Sequence, residues 1–236
     1  MTAWVRGFAV MIGVAMLVTT PIAVAQTDGM KRAPSSTSAD ERALDRYHQG
    51  RRAMNEGDLL IAARYFREAI SLDRNLLGAR RAYARILVVT ERPERAQSVL
   101  AEGLEVASND LPTARLLARI ARGNNDIDMA IQALEAIRPP TNSPETQIRS
   151  HLGDLYRRNE QYAKAAAVYA ELRTVDSGAP EWILGEAISQ DRRGEAEAAR
   201  EAWSMLLKQD GVNDAIRRYA ENRRETLRDG QVPYGD

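Results

Sequence analysis

Cysteine is absent from the sequence of 236 residues, and His48 and His151 are its only histidines. The lack of cysteine excludes disulfides, thiolate nucleophiles, thiolate metal sites and a lipid-modified N-terminal cysteine. Two histidines are too few for a histidine-rich metal centre. Nucleophile-elbow, phosphate-loop and dinucleotide-binding motifs are also absent. We therefore expect a protein that is not an enzyme and that holds no metal or cofactor.

A net charge is missing too, because 33 basic and 33 acidic residues cancel. A neutral molecule has no overall field that would attract nucleic acid, so we expect no nucleic-acid partner. Hydrophobic residues make up 44% of the chain and charged residues 28%, which is ordinary for a soluble globular protein with a real core. Any electrostatic recognition must therefore come from a local concentration of charge.

The longest apolar stretch lies at the N-terminus, where "GFAVMIGVAMLVTTPIAVA" follows Arg6 and ends at Ala25. A positive charge, an apolar run, a break at Pro21 and a small-x-small end indicate a secretory signal peptide over residues 1–25, cleaved after Ala25. An uncleaved membrane anchor is the alternative, since about 20 apolar residues can span a bilayer. The signal peptide predicts a periplasmic or secreted protein, and the anchor predicts an inner-membrane protein that faces the periplasm.

A polar segment separates this stretch from the rest of the chain. Residues 26–40, "QTDGMKRAPSSTSAD", contain almost nothing apolar to bury and are predicted to be a flexible linker. Ser38 and Glu41 have the spacing of a capping box, which predicts a helix start at the end of the linker. We expect a helical domain over residues 41–228 and a disordered tail over residues 229–236.

A unit of 34 or 35 residues occurs five times in this domain. Each unit contains a glycine, asparagine or glutamate, then a polar residue, then an alanine four positions later. The alanines are Ala62, Ala96, Ala130, Ala165 and Ala199. Four residues after each alanine stands a large side chain, namely Phe66, Leu100, Leu134, Tyr169 or Trp203. Twelve residues before each alanine stands a small one, namely Gly50, Ala84, Ala118, Gly153 or Ala187. Small residues let two helices of one unit approach closely, and the large side chain fills the space between that unit and the next.

The unit at residues 146–179 has the clearest pattern, carried by Leu152, Gly153, Tyr156, Ala165 and Tyr169. This pattern resembles the tetratricopeptide repeat family, whose signature is W-x2-L-G-x2-Y followed by A-x3-F within 34 residues. The resemblance covers five copies over residues 43–213 and implies an all-α solenoid of about five helix hairpins. An amphipathic segment at residues 213–227 predicts a helix that caps the last copy.

Two features depart from the family pattern. Arg46 and Arg80 stand where the family has tryptophan, and Pro139 and Pro140 come early in the third copy. We expect these departures to disturb the regularity of the stacking.

The order of the copies shows a second, looser resemblance. The succession "AQSVLAEGLEVA", "TARLLARIARGNNDIDMAIQALE", "HLGDLYRRNEQYAKAAAVY" and "EWILGEAISQDRRGEAEAAREAW" is similar to the C-terminal repeat region of MSHA-type pilus biogenesis proteins. In that family the repeats follow an inner-membrane helix and a long tether, so this resemblance implies an assembly role at a type IV pilus.

The tetratricopeptide resemblance also implies a concave groove, which the family lines with places 5, 9 and 12 of each copy. Six of the nine residues at these places in the second to fourth copies are arginine. The predicted partner-binding residues are Tyr47, Arg51, Arg81, Arg85, Arg115, Arg119, Arg122, Arg157, Leu184 and Ile188. We expect a positive groove that binds an acidic peptide or a C-terminal carboxylate through bidentate arginine. The alternatives left open are that arginines pair with nearby glutamates and that Leu184 and Ile188 belong to the core. Both histidines are expected to be ordinary surface residues.

Together these features predict a periplasmic, non-enzymatic adaptor or scaffold that binds a segment of another envelope protein in this groove. The alternative is an inner-membrane-anchored assembly factor of a type IV pilus or another envelope complex. Contact with a membrane is expected only if residues 7–25 are retained as an anchor.

N-terminal sequencing of the mature protein distinguishes the two localisations. We expect the mature chain to begin at Gln26, because signal peptidases cleave after a small-x-small sequence such as Ala23–Ala25. A mature chain that still begins with residues 1–25 would contradict the signal peptide and support the anchor.

Overall fold

Eleven α-helices form the secondary structure of residues 36–137 and 146–228, the ranges that the computed structural model describes, and these ranges contain no strand. The helices are α1 (Ser36–Glu56), α2 (Leu59–Leu72), α3 (Leu77–Val89), α4 (Pro93–Val106), α5 (Leu111–Gly123), α6 (Ile127–Ile137), α7 (Thr146–Arg158), α8 (Tyr162–Arg173), α9 (Pro180–Arg192), α10 (Ala196–Leu207) and α11 (Asp214–Arg228). The predictions for residues 1–25, for the start of the linker, for Pro139 and Pro140 and for the tail lie outside these ranges.

The helices pair in chain order, and each packs against the next along the whole described chain. The five predicted copies are the hairpins α1–α2, α3–α4, α5–α6, α7–α8 and α9–α10, which we call repeats one to five. The predicted capping helix is α11, which packs on α10. The all-α solenoid with a terminal cap is confirmed.

Helix α1 begins earlier than predicted. It starts at Ser36, so Ser38 lies inside its first turn and accepts a hydrogen bond on its carbonyl oxygen from Arg42 Nε at 3.0 Å. The predicted capping box is therefore wrong, and residues 36–40 are helical. Between Pro34 and Gly50 the sequence contains no proline or glycine, the residues that most strongly oppose a helix. Nothing in this stretch therefore prevents α1 from beginning at Ser36.

The same turn closes the first helix of every repeat. One residue of each turn has a positive φ. In the order of the repeats, these residues are Gly57 (88°), Glu91 (58°), Asn125 (59°), Glu160 (56°) and Gly194 (77°). The next residue donates its backbone N–H to the carbonyl five residues back, as from Asp58 to Ala53 at 2.9 Å. This is the Schellman geometry, which prefers glycine or asparagine at the left-handed position. Repeats two and four have glutamate there instead, and the turn still aims the second helix back along the first.

Small and large residues alternate in the core as the repeat pattern predicts. The five alanines that define the repeats are fully buried, and the five large residues that follow them are at most 3% exposed. Tyr169 shows why small partners are required. A Cβ atom added to Gly153 would lie 2.9 Å from Tyr169 Cζ, and one added to Gly185 would lie 2.4 Å from the same atom. The tyrosine ring is thus wedged between the first helices of its own repeat and of the next one.

Arginine takes the tryptophan place without disturbing the stack. Arg46, Arg80 and Arg149 stand at this place in repeats one, two and four, and each pairs with a glutamate 22 residues later on the second helix of its repeat. Arg80 is only 2% exposed, lies 3.0 Å from Glu102, and also donates to the carbonyl oxygen of Val99 at 3.2 Å. The expectation that these arginines disturb the stacking was wrong, because each arginine's charge is paired with a glutamate on the second helix of its own repeat.

A buried ion pair joins the cap to repeat five. Arg223 on α11 donates from Nε and Nη2 to the two carboxylate oxygens of Asp191 on α9, at 2.8 and 2.5 Å. The indole Nε1 of Trp203 donates to the same carboxylate at 3.3 Å. Asp191 and Arg223 are each 5% exposed, so each charge depends on the other for its solvation.

Substitution of Gly185 by alanine tests the wedge. We expect Gly185→Ala to destabilise the protein by about 1–3 kcal/mol, since the new methyl group must displace the ring of Tyr169. Urea denaturation followed by circular dichroism measures the change. The control is Gly123→Ala at the end of α5, where an added Cβ meets nothing within 4 Å and stability should stay unchanged or rise slightly. Equal stability of both variants would contradict the wedge.

Substitution of Arg223 tests the buried pair. We expect Arg223→Leu to cost about 3–5 kcal/mol, because Asp191 would be left buried with an uncompensated charge. The neighbouring Arg224 is exposed on the same helix, and Arg224→Leu should stay within about 0.5 kcal/mol of the parent protein. Similar unfolding midpoints for the two variants would show that the ion pair does not hold the cap in place.

Candidate functional site

Three arginines on α5 project from one face of the helix. Arg115, Arg119 and Arg122 are spaced by four and three residues, which places their side chains in one stripe. All three are exposed, and the opposite face of α5 is buried in the core through residues such as Leu117 and Ile120. Burial of the apolar face therefore fixes the direction in which the arginines point.

Arg85 on α3 joins this stripe. It lines an open pocket of about 210 Å³ together with Arg115 and Arg119, where Leu111 and Leu116 supply apolar walls. The structure thus brings four of the predicted groove residues onto one surface, and we call Arg85, Arg115, Arg119 and Arg122 the arginine cluster.

The cluster also borders a second pocket, between α5 and α7. This α5–α7 pocket has a volume of about 80 Å³ and is lined by Arg115, Ala118, Arg119, Arg122, Leu134, Ile148, His151, Asp154, Leu155 and Arg158. Apolar side chains form part of the lining, and charged groups surround it. The space suits one acidic side-chain head group with a few waters and is too small for a helix.

The pocket lies between two first helices that are not closely packed. Helices α3 and α5 approach each other closely, as do α7 and α9, whereas α5 and α7, like α1 and α3, make fewer close approaches. Helix α6, which separates α5 from α7, is the shortest of the described helices with 11 residues. The space left beside α6 becomes the α5–α7 pocket.

The charges of the cluster have no partner within residues 36–137 and 146–228. Arg85, Arg115, Arg119 and Arg122 make no ion pair or side-chain hydrogen bond with any residue of these ranges. Asp154 is the one acidic residue that lines the pocket, and it is already bound to Arg157. Since neighbouring cationic side chains lie within roughly a Debye length of about 8 Å, their fields add, and the surface attracts anions.

Two other predicted arginines are held by carboxylates. Arg81 donates to Asp110 at 2.7 Å and to Thr113 Oγ1 at 3.0 Å, and the same carboxylate caps the N-terminus of α5. Arg157 donates to Asp154 at 2.7 Å. Partial desolvation lowers the pKa of Arg157, but the hydrogen bond and the charge of Asp154 outweigh it, so the pKa is raised overall. Arg81 therefore links α3 to the start of α5, and Arg157 is paired within α7.

The remaining predicted groove residues lie towards the ends of the stack. In repeat one, the Arg51 guanidinium lies 6.0 Å from the centre of the Tyr47 ring, and that ring packs 5.9 Å from Phe66. In repeat five, Leu184 and Ile188 are half-buried and pack against the core around Trp203. Their packing matches the core alternative for these two residues, and partner contact at either end of the stack stays a prediction.

His151 and Arg158 are site residues that the sequence analysis missed. His151 was expected to be an ordinary surface residue, and it does keep a solvent-exposed surface, but it lines the α5–α7 pocket opposite the cluster. Desolvation lowers the pKa of His151, and the positive charges of Arg122, Arg115 and Arg119 lower it further, against the opposing effect of Asp154. The repeat pattern carries no signal for this placement, because it depends on how far apart α5 and α7 lie.

No helix within residues 36–137 and 146–228 is long and apolar enough to cross a membrane. The same ranges contain no group of three or more histidine and acidic side chains arranged to hold a metal ion.

Comparison with known families agrees with the geometry of the stack. Residues 53–120 match the family model of the tetratricopeptide repeat. The matched part runs from the end of α1 into α5, and the described helices as a whole have the fold of a tetratricopeptide repeat solenoid. No curated protein matches its sequence.

Solved structures of tetratricopeptide repeat proteins have the same fold. YrrB, described as having an unusual peptide-binding site, has a TM-score of 0.58 at 16% identity, with 80% of this chain and 98% of YrrB covered. MamA has a TM-score of 0.53 at 14% identity, with 83% of this chain and 99% of MamA covered. A tetratricopeptide repeat protein from Parabacteroides merdae also scores 0.53, at 16% identity, with 81% and 75% covered. At these identities the likeness concerns the fold alone.

Proposed function

We propose that this tetratricopeptide repeat solenoid is a non-enzymatic adaptor that holds an acidic segment of another protein against the arginine cluster. The observation that carries this proposal is the set of four exposed arginines on α3 and α5 without a carboxylate partner in the described ranges. Other arginines of the scaffold, such as Arg80, Arg81 and Arg223, do have carboxylate partners. The contrast separates arginines that hold the fold together from arginines that are available to a ligand.

The chemistry of the cluster favours carboxylates. Each guanidinium can donate two parallel hydrogen bonds to one carboxylate, and such charge-assisted pairs are stronger than neutral hydrogen bonds. An extended segment that crosses α3 and α5 can place successive acidic side chains, or its C-terminal carboxylate, on different members of the cluster. Leu111 and Leu116, which line the open pocket beside Arg85, offer apolar contact to the aliphatic parts of the bound segment.

The fold and one structural relative support binding of a protein segment. A solenoid presents an extended surface along its stacked hairpins, which suits an extended ligand. YrrB has the same fold and is described as having a peptide-binding site, and we extend binding of a peptide segment to this chain as part of the proposal.

The proposed place of action is the bacterial periplasm, with another envelope protein as the partner. This part of the proposal rests on the signal peptide that the sequence predicts at residues 1–25. Retention of these residues would instead support the inner-membrane assembly factor, and a role at a type IV pilus stays a prediction of the sequence resemblance.

Charge reversal of the cluster tests the adaptor proposal. We expect the triple substitution Arg85→Glu, Arg115→Glu and Arg119→Glu to weaken capture of an acidic partner segment at least tenfold and to remove most of its salt dependence, since three of the four attractive charges become repulsive. Capture is measured by crosslinking and mass spectrometry of envelope extract, and affinity by fluorescence anisotropy with a labelled aspartate-rich peptide at 50 and 300 mM salt.

The control makes the same change in net charge elsewhere. Arg67, Arg95 and Arg224 are exposed on α2, α4 and α11, outside the cluster. Their simultaneous replacement by glutamate should leave binding within about twofold of the parent protein, because exposed charges beyond a Debye length are largely screened. If the two triple variants lost binding equally, or if neither lost it, the cluster would not be the binding surface.

A further inference from the structure

We propose that His151 is part of the anion site and takes up a proton when an acidic group of the ligand enters the α5–α7 pocket, so that capture strengthens as the pH falls. This inference rests on the proposed function, because it concerns the same surface and the same class of ligand. It adds a residue and a regulatory property that the arginine pattern does not contain.

The geometry places His151 among the charges of the site. From α5, Arg115, Arg119 and Arg122 line the pocket that His151 also lines. From α7 itself, the charged neighbours are Asp154 and Arg158, which lie three and seven residues further along the helix.

Helix α6 contributes no charge to the lining of this pocket, only the apolar side chain of Leu134. Among the described residues that line the pocket, four are therefore permanently cationic and only Asp154 is anionic. Because Asp154 is paired with Arg157 at 2.7 Å and lies 4.0 Å from Arg158, its charge is largely engaged on α7.

Without a ligand, these surroundings favour a neutral imidazole. Desolvation and the three α5 arginines hold the pKa of His151 below its ordinary value of 6.5, against the opposing effect of Asp154. A neutral ring adjoining four guanidinium groups avoids a fifth positive charge in a small space.

An acidic ligand reverses this balance. A carboxylate bound by Arg119 or Arg122 neutralises the charge that repels the proton and places a negative charge beside the imidazole. Both effects raise the pKa of His151, and the imidazolium can donate a hydrogen bond to the ligand. Since the bound state then holds more protons than the free state, linkage requires the affinity to increase as the pH falls through the interval between the two pKa values.

The size of the effect is bounded by the single proton. One titrating group can change the affinity by at most about tenfold per pH unit. Between pH 7.5 and pH 5.5 we expect the affinity for an aspartate-rich peptide to rise by about three- to tenfold. Aspartate carboxylates, with pKa values near about 3.9, stay largely ionised over this interval, so the peptide itself contributes little.

His48 provides an internal reference. It occupies the same place in repeat one that His151 occupies in repeat four, and its ring lies 5.6 Å from the Tyr47 ring. Because these are the only two histidines, their ring protons give two resolvable NMR signals, and His48→Gln assigns them.

The experiment combines an NMR titration with binding measurements on the whole protein. The probe is an acetylated, amidated peptide of alternating aspartate and glycine. We expect the titration midpoint of His151 to move to higher pH when the peptide is added, while the NMR signal of His48 does not respond to the peptide. We also expect the affinity of the parent protein and of His48→Gln for the peptide to rise as the pH falls. His151→Gln should keep the salt dependence of the parent protein, but its affinity should change less than twofold between pH 7.5 and pH 5.5.

Each outcome decides between the two proposals. Binding that is lost in the triple arginine variant but is independent of pH would overturn the role of His151 and leave the adaptor proposal intact. A rise in affinity that persists in His151→Gln would do the same. Absence of peptide binding at every pH would overturn both proposals together.

Discussion

The contact between one large side chain and the small residues that face it sets the geometry of this protein. In repeat four, Tyr169 fills the space between Gly153 of its own repeat and Gly185 of the next. This contact fixes how closely the two helices of a hairpin approach and where the following hairpin is placed. Because Phe66 and Trp203 occupy the equivalent position elsewhere, the same spacing is transmitted along the stack.

In a regular stack, side chains that recur at the same place of successive repeats form one continuous surface. Side chains at equivalent places of neighbouring first helices come to lie side by side, so Arg85 on α3 reaches the stripe formed by Arg115 and Arg119 on α5. Arg85 is 30 or more positions away from these two arginines in the chain, and only the stacking of repeats brings it beside them. The local positive field arises in a molecule whose total charge is zero.

Arginine has two roles in the structure, and the difference lies in the available carboxylates. Arg80 and Arg223 are buried and paired, and removing either partner would leave a charge that water cannot reach. The arginine cluster is exposed, its charges repel one another, and an anionic ligand relieves that repulsion. The pKa of His151 is lowered by its partial burial and by the same excess of positive charge, because the neighbouring guanidinium groups disfavour a proton on the imidazole.

By itself, the sequence determined the repeats, the hairpins, the capping helix and the burial of the alanine and large-residue positions, because these depend on local periodicity and on contacts that recur every 34 or 35 residues. The sequence also contains a glutamate 22 residues after an arginine at the tryptophan place, a spacing that indicates the ion pair between the two helices of a repeat. Which arginines are neutralised depends on the packing of the repeats. Arg81 and Arg85 look alike in sequence, but within residues 36–137 and 146–228 only Arg81 meets a carboxylate, that of Asp110. The α5–α7 pocket and the place of His151 in it were likewise decided by the distance between two helices, a quantity that no residue pattern within one helix specifies.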